Sequence, residues 1–281
     1  MGTVPRFFVS TPLDRGEVIL PPHVAHQVTA VLRLRPGDPL VLFDGSGGEW
    51  ESELVAGPAQ GQRGPREVVA RTHRLVEPRR EPALRLTLCQ AMLKADKFEW
   101  VLQKGTELGV AVFQPLVTQR TVPLVRAKDE RSMDTPRDDS KLARWRRIVV
   151  EAAEQSGRCA IPRVEAWCSL KQLLQQQGRG APPTIVCWES ETLPFRDALA
   201  RALPAGSGEL RVLIGPEGGF AAEEAAAARA AGAVLASLGP RILRSETAAL
   251  AAAALTLLDH GPLGVDLASD RRGDDQQRAR G

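Results

Sequence analysis

The sequence predicts an α/β protein: a carboxyl-terminal layer with a mostly parallel sheet, preceded by a small β-rich domain. Three observations carry this. From Leu84 onward, short apolar runs alternate with stretches of helical period, the order that builds a parallel sheet covered by helices. Before that point strand-like runs dominate, broken by the hairpin turn Asp44-Gly45-Ser46-Gly47-Gly48. Late in the chain, two strand-like runs each enter a glycine or proline turn and then an alanine-rich helix. They are Leu213-Ile214-Gly215-Pro216-Glu217-Gly218-Gly219-Phe220 and Leu238-Gly239-Pro240-Arg241-Ile242-Leu243-Arg244-Ser245-Glu246-Thr247-Ala248.

The elements follow in order. Residues 6–9 form a short apolar strand. Residues 23–32 predict a helix, with Val24, Val28, Val31 and Leu32 at helical spacing. Residues 39–43 and 49–55 are strands flanking the hairpin turn, and residues 68–75 are another. A small barrel with one helix then occupies residues 1–76. Residues 77–82, with Pro78 and Pro82, read as a linker to a second domain at 83–265. That domain begins with a strand at 84–90. A helix follows at 96–108, with Phe98, Val101, Leu102 and Leu108 largely on one side and Gly109 at its end. After a strand at 110–117, residues 128–140 are charged and irregular, a loop. Residues 141–155 predict a helix with Leu142, Trp145, Ile148 and Val149 on its apolar face; Lys141, Arg144, Arg146 and Arg147 then form either a solvated face or, for the arginines, contacts to RNA phosphates. Strands at 162–166, 184–188, 210–214 and 234–237 and helices at 221–231 and 246–259 complete the layer. Residues 266–281 have the composition of a disordered tail.

Bulk properties bound the class. The chain has 281 residues, 43% hydrophobic and 25% charged, the balance of a soluble globular protein. Net charge is +3, which by itself does not indicate a nucleic-acid partner. No apolar run approaches the roughly 20 residues that cross a bilayer, and the start lacks the layout of a signal peptide. These features predict a cytoplasmic protein that engages no membrane. Cys89, Cys159, Cys168 and Cys187 are scattered without a Cys-x-x-Cys pair, which predicts neither a metal site nor a disulfide framework, but small core-filling thiols.

The turn at 215–219 ends a strand, and in α/β layers ligands gather outside the carboxyl ends of strands. Its glycines allow close backbone approach. It has neither the Gly-Lys-Ser/Thr ending of a phosphate loop nor the Gly-x-Gly-x-x-Gly of a dinucleotide site. It carries Glu217 and no lysine, which points to a ligand with a positive or neutral reacting centre. In the second turn, Ser245 is positioned to cap the following helix and Glu246 stands near its positive end. The alanine run from Ala248 permits very close packing, as in a knot or a dimer seam; high helix propensity alone explains it equally well.

These two segments resemble the cofactor end of the SPOUT (trefoil-knot) RNA methyltransferases. More closely, the chain resembles the RsmE family, 16S ribosomal RNA uridine-N3 methyltransferases. Gln103-Lys104-Gly105-Thr106-Glu107-Leu108-Gly109 is similar to that family's Gln-Lys-x-x-Glu-Leu-Gly segment. Arg144-Trp145 through Glu151-Ala152-Ala153-Glu154-Gln155-Ser156-Gly157-Arg158 is similar to its next helix and turn. Val31-Leu32-Arg33 and Leu42-Phe43-Asp44-Gly45 are similar to its amino-terminal PUA-like domain.

The resemblance implies a PUA-like RNA-binding barrel, a knotted SPOUT α/β domain, S-adenosyl-L-methionine as methyl donor and a homodimer. It implies methylation at N3 of one uridine, position 1498, of 16S ribosomal RNA in the small ribosomal subunit. The implied cofactor pocket is made by Leu213, Ile214, Gly215, Pro216, Glu217, Gly218, Leu238, Gly239, Ile242 and Leu243, with Trp188 and Glu189 from a neighbouring strand end. Uridine N3 carries a proton and lies on the pairing edge, so the base must be unpaired and must lose that proton. Arg6, Glu107, Glu154, Arg244 and Glu246 are the catalytic candidates, with Arg6, Arg33 and Arg158 as RNA contacts. Two other readings stay open: a SPOUT enzyme with a different ribosomal or transfer RNA target, and a non-catalytic RNA-binding assembly factor.

Overall fold

The computed structural model describes residues 4–56, 67–76, 81–94, 96–121, 139–178, 180–203 and 207–258. Most of the expected linker, nearly all of the charged loop and the whole tail lie outside them. The chain divides into two compact units, Met1–Glu81 with Arg146–Pro162 and Pro82–Trp145 with Arg163–Gly281.

The first unit holds a five-stranded sheet. Its strands are β1 (Arg6–Phe8), β2 (Gly16–Ile19), β3 (Pro39–Phe43), β4 (Glu49–Ala56) and β5 (Val69–Val76), in the order β1-β3-β4-β5-β2. Only β1 and β3 run parallel; the other pairs are antiparallel. The β3–β4 turn is the expected glycine-rich hairpin. Asp44 organises it, its Oδ2 accepting from Leu13 N at 2.8 Å and its Oδ1 from Ser46 N at 3.0 Å. Strand β2 was not expected from the sequence; its burial alternates over only four residues, too short a run to stand out.

The helix expected at 23–32 is split. α1 (Pro22–His26) is followed by a π-helical turn, Gln27–Val31. Leu32 N donates to Gln27 O at 2.9 Å, a bond that spans five residues rather than four. Val24 and Val28 stay in the core with Phe7, Val9, Leu40, Leu42 and Leu54. The wider turn carries Val31 and Leu32 off that face, leaving them 62% and 47% exposed. Arg33 then adopts φ 56°, the one non-glycine positive φ among the described residues, at a cost of about 1–2 kcal/mol.

Helix α3 (Asp139–Ser156) divides between the units at Arg146. Within the first unit its end is tied down by charge. Arg6 donates to Glu49 Oε2 through Nε at 3.1 Å and Nη2 at 2.8 Å, and to the carbonyls of Glu154 and Arg158 at 3.2 and 3.1 Å. Its guanidinium lies 4.8 Å from the centre of the Phe43 ring. Glu154 Oε1 accepts the Phe8 amide at 2.7 Å, while burial holds its carboxyl above the ordinary range. Arg158 is 5% exposed and donates to Glu81 Oε2 through Nη2 at 2.7 Å.

The second unit is built on β6 (Arg85–Ala91), β7 (Val112–Val117), β8 (Arg163–Val164), β9 (Cys168–Ser169), β10 (Thr184–Cys187), β11 (Glu209–Ile214) and β12 (Val234–Ala236). The order is β12-β10-β11-β6-β7-β8, with β9 also against β7, and every pairing is parallel. All strands therefore end on one edge of the sheet. Helix α2 (Lys97–Leu108) stops at Gly109, whose φ of 106° terminates it as the sequence predicts. Trp145 is 2% exposed and stacks on Phe98 with ring centres 4.5 Å apart, on the apolar side predicted for it. Helices α4 (Leu170–Gln175) and α5 (Phe195–Ala202) were not expected, although Phe195, Ala198 and Leu199 of α5 stand at helical spacing and are buried. The signal for α4 is its capping box, Ser169 with Gln172. α6 (Ala222–Ala230) and α7 (Ser245–Leu258) follow the two glycine-proline turns. Burial pushes the thiol of Cys89 up to about 12, so this fully buried residue is an inert packing group.

Replacing Arg158 by Met takes the charged partner from the partly exposed Glu81 carboxylate, which keeps the Cys159 and Ala160 amides as donors. The expected loss is about 1.5–3 kcal/mol, read from urea denaturation of the full chain; a loss under about 0.5 kcal/mol would show that the pair does not hold this unit together.

Candidate functional site

The carboxyl ends of β10, β11 and β12 lie side by side, and the loops that leave them enclose a cavity of about 1120 Å³. The first loop contributes Trp188, Glu189 and Glu191, the second residues 215–219, and the third residues 237–244. Backbone bonds stitch the loops together. Trp188 N donates to Ala236 O at 2.9 Å, Ser237 N to Leu193 O at 2.7 Å, and Phe195 N to Ser237 O at 2.9 Å.

The glycines have distinct reasons. A Cβ on Gly215 would lie 3.1 Å from Phe220 N, because the turn folds back on itself. Gly219 has φ 68°, and a Cβ there would collide with the Glu189 carboxylate. Gly239 has φ 113° with open space around it, so only its backbone angle requires glycine.

Ser245 does not cap α7 as the sequence predicts. Its buried hydroxyl donates to Gly215 O and accepts from Gln90 Nε2 at 2.9 Å. The reason is position: Ser245 is already the first helical residue, and its hydroxyl is held by the Gly215 carbonyl just after β11. Three segments distant in sequence thus meet at one hydroxyl.

Charge collects at the same edge. Lys97 Nζ, in the first turn of α2, stands 3.6 Å from Glu217 Oε1 and 3.6 Å from Glu246 Oε1. Lys94 N also donates to Glu217 Oε1 at 3.4 Å. The other oxygen of Glu246 is buried with no hydrogen-bond partner among the described residues, although the side chain as a whole is 13% exposed. Arg120 donates to Gly218 O at 2.9 Å, pinning the middle loop from outside.

Of the residues expected to hold a cofactor, Trp188, Glu189, Ile214, Gly215, Pro216, Glu217, Gly218, Leu238, Gly239, Ile242 and Leu243 line the cavity; Leu213 is fully buried in the core. Arg244 lines it too, and Glu246 lies beside it through Lys97. The other catalytic candidates have different surroundings. Glu107 pairs with Lys104 at 2.8 Å along α2. Arg6, Glu154 and Arg158 belong to the charge network of the first unit, and none of them lines the cavity. Arg33 is exposed. Lys97, Arg120 and Gln90 were missed. No local signal marks them, since each acts on a residue more than ninety positions away.

Comparison with known proteins agrees with this architecture. Residues 79–257 match the family model of the RNA methyltransferase domain, and residues 23–58 that of the RNA methyltransferase PUA domain. Fold and site therefore define an RNA methyltransferase. Ribosomal RNA small subunit methyltransferase E of Mycobacterium tuberculosis is 35% identical over 250 residues, 88% of each chain. The protein of the same name from Bacillus subtilis is 32% identical over 229 residues, 80% of this chain and 83% of that one. The crystal structure of ribosomal RNA small subunit methyltransferase E from Neisseria gonorrhoeae bound to S-adenosyl methionine superposes with a TM-score of 0.78 at 31% identity, covering 92% of this chain and 99% of that one. The chain belongs to the ribosomal RNA small subunit methyltransferase E family.

The two left-handed glycines should separate on substitution. Gly239→Ala meets only the backbone penalty of about 1–2 kcal/mol, whereas Gly219→Ala adds a collision with Glu189. Urea midpoints should fall further for Gly219→Ala; equal midpoints would mean that the Glu189 contact does not constrain the loop.

Proposed function

We propose that this chain is an S-adenosyl-L-methionine-dependent methyltransferase acting on N3 of a specific uridine in 16S ribosomal RNA of the small subunit. The observation that carries this is the cavity at the ends of β10, β11 and β12, walled by glycine-rich backbone and apolar side chains. Its volume of about 1120 Å³ lies just above the roughly 300–1,000 Å³ of common small-molecule sites, leaving room for a cofactor and part of a base. Trp188, Leu238, Ile242 and Leu243 suit an adenine ring. Exposed backbone groups of 214–218 and 238–243 suit its polar edge. Glu189 suits a cationic donor, and the middle loop has no lysine to cradle a phosphate.

When bound, the cofactor supplies a methyl group on a positively charged sulfur. The chain's own residues must then bring an unpaired uridine in line and remove the N3 proton. Glu246 is the residue we assign to that proton, because one of its oxygens is buried and lacks a donor. Lys97 holds the other oxygen and so aims the carboxylate. Arg244, beside the cavity, suits the charge that develops on the uracil oxygens. Arg6, Glu154 and Arg158 are assigned to the integrity of the first unit.

The knot and the homodimer belong to the same reading. The bond from Ser245 to Gly215 draws the last loop back onto the middle one, as a knotted chain requires. Leu255 and Leu258 on α7 are 48% and 50% exposed, and Ile242 is 88% exposed. A second copy would bury these side chains at the rim of the cavity. Among the described residues no helix is long and apolar enough to cross a membrane, and a cytoplasmic location fits a ribosomal RNA substrate.

Incubation with small subunits from a strain lacking this modification, followed by nucleoside mapping, should yield N3-methyluridine at one position; methyl transfer to another atom, or none, would overturn the assignment. Glu246→Gln should lower kcat by about 10²–10⁴-fold while calorimetry shows unchanged cofactor affinity; unchanged kcat would remove Glu246 from the mechanism. The double variant Leu255→Asp, Leu258→Asp should elute as a monomer in light-scattering chromatography, and a persisting dimer would place the seam elsewhere.

A further inference from the structure

The first cavity loop is shaped by one side chain. The loop runs from Trp188 to Pro194, between β10 and α5, and among the described residues Glu191 makes every side-chain hydrogen bond within it. Its Oε1 accepts from Thr192 N at 2.9 Å and from Leu193 N at 3.4 Å. Its Oε2 accepts from Arg229 Nη2. Its backbone amide donates to Trp188 O at 3.1 Å, closing the turn that carries Trp188 and Glu189. The Thr192 amide, with the Leu193 amide and the Arg229 guanidinium, outweighs desolvation and holds the carboxyl below the ordinary glutamate range. Glu191 lines the cavity, yet both of its oxygens are already engaged.

The same carboxylate ties this loop to the rest of the site. Arg229 stands in the last turn of α6, the helix that joins the middle loop to β12 and the third loop. Leu193, oriented by Glu191, accepts Ser237 N through its carbonyl at 2.7 Å, and Phe195 N donates to Ser237 O at 2.9 Å. Ser237 Oγ in turn lies 3.3 Å from both the amide and the carbonyl of Gly239. The connection therefore runs from α6 through the first loop to the third. The middle loop has a separate brace: Arg120 donates to Gly218 O at 2.9 Å, and Glu224 accepts from Gln119 N and Ala221 N at 2.7 and 3.0 Å. Stability does not account for the Glu191–Arg229 pair. The Arg229 side chain is 62% exposed, and an ion pair with so exposed a member contributes little to folding.

We propose that Glu191 and Arg229 form a clasp that sets the cofactor affinity of the cavity. Glu191 is a positioning residue. It acts by fixing Trp188 in the first loop and Ser237 to Gly239 in the third, all of which line the cavity. A wall already fixed before binding loses less freedom when the ligand arrives, so loosening the clasp is felt as weaker binding. Neither clasp residue bonds to Glu246 or Arg244, the groups assigned to the reacting base. This inference rests on the cavity being the cofactor's and adds which residues tune its affinity without touching the ligand.

The test is isothermal titration calorimetry of the full-length protein with S-adenosyl-L-methionine, with the melting temperature measured alongside. Arg229→Met should weaken binding between about two- and thirtyfold, with the melting temperature nearly unchanged. Arg229→Lys keeps a cation within reach of Glu191 and should recover most of the loss. Glu191→Gln keeps an oxygen for the Thr192 and Leu193 amides but offers no charge to Arg229, and should weaken binding to a similar degree. The double variant should bind no more weakly than either single one, because both remove the same interaction. Wild-type affinity in both single variants overturns the clasp and leaves the cofactor site standing, since the wild type still binds. Tighter binding by Arg229→Met with weaker binding by Glu191→Gln shows Glu191 contacting the cofactor directly, and equally overturns the clasp. Losses that add in the double variant show two independent roles and overturn it too. If the wild type binds no S-adenosyl-L-methionine, the cofactor reading itself falls and the clasp falls with it.

Discussion

One hydroxyl organises the catalytic unit. Ser245 gives its proton to the Gly215 carbonyl and receives one from the Gln90 amide, joining the end of β6, the loop after β11 and the start of α7. In a buried setting such a bond is costly to lose, because the carbonyl and the amide would both be left without water to replace it. The cavity walls depend on this junction. The middle loop can bend sharply only because Gly215 lacks a side chain, and the last loop is held near it only because α7 begins at Ser245.

The parallel sheet supplies the frame on which that junction works. Because every pairing in the second unit is parallel, the strands deliver their last residues to a common edge, and loops from non-adjacent parts of the chain converge there. Alanine-rich helices make the convergence possible. α7 is apolar nearly all round and presents Ala249, Ala252 and Ala253 to its neighbours as fully buried small side chains, so backbones approach closely.

Charge is used differently in the two units. In the first, buried Glu49 and Arg158 are paired with partly buried Arg6 and Glu81, an arrangement whose desolvation cost is offset only while the buried members keep their partners. In the second, Lys97 reaches two carboxylates at 3.6 Å without closing tightly on either, and one Glu246 oxygen is left without a donor among the described residues. A saturated network suits architecture. An open one suits a site that must accept a proton or a ligand.

Residue order alone made much of this protein readable. The alternation of strands and helices after Leu84, the hairpin glycines at 45–48, the helix stop at Gly109 and the turns at 215–219 and 238–244 are local patterns, and local patterns encode backbone angles and burial faces directly. The two turns supply much of the cavity wall, whereas Thr192, Pro194, Phe195 and Arg196, which also line it, carried no mark. What escaped was whatever depends on a partner far along the chain. Gln90, Lys97 and Arg120 carry no local mark, because their roles arise from contact with residues at 245, 217 and 218. The partners of Arg6, Glu154 and Arg158, which are Glu49, the Phe8 amide and Glu81, were equally invisible in a linear reading, since a charged side chain's neighbours are set by folding. The π-helical turn before Arg33 was hidden for a related reason: helical spacing predicted Val31 and Leu32 inward, and a single shifted hydrogen bond turned them outward. Periodicity assigns each residue a face, but the depth of the core and the competition for each hydrogen bond are settled in three dimensions.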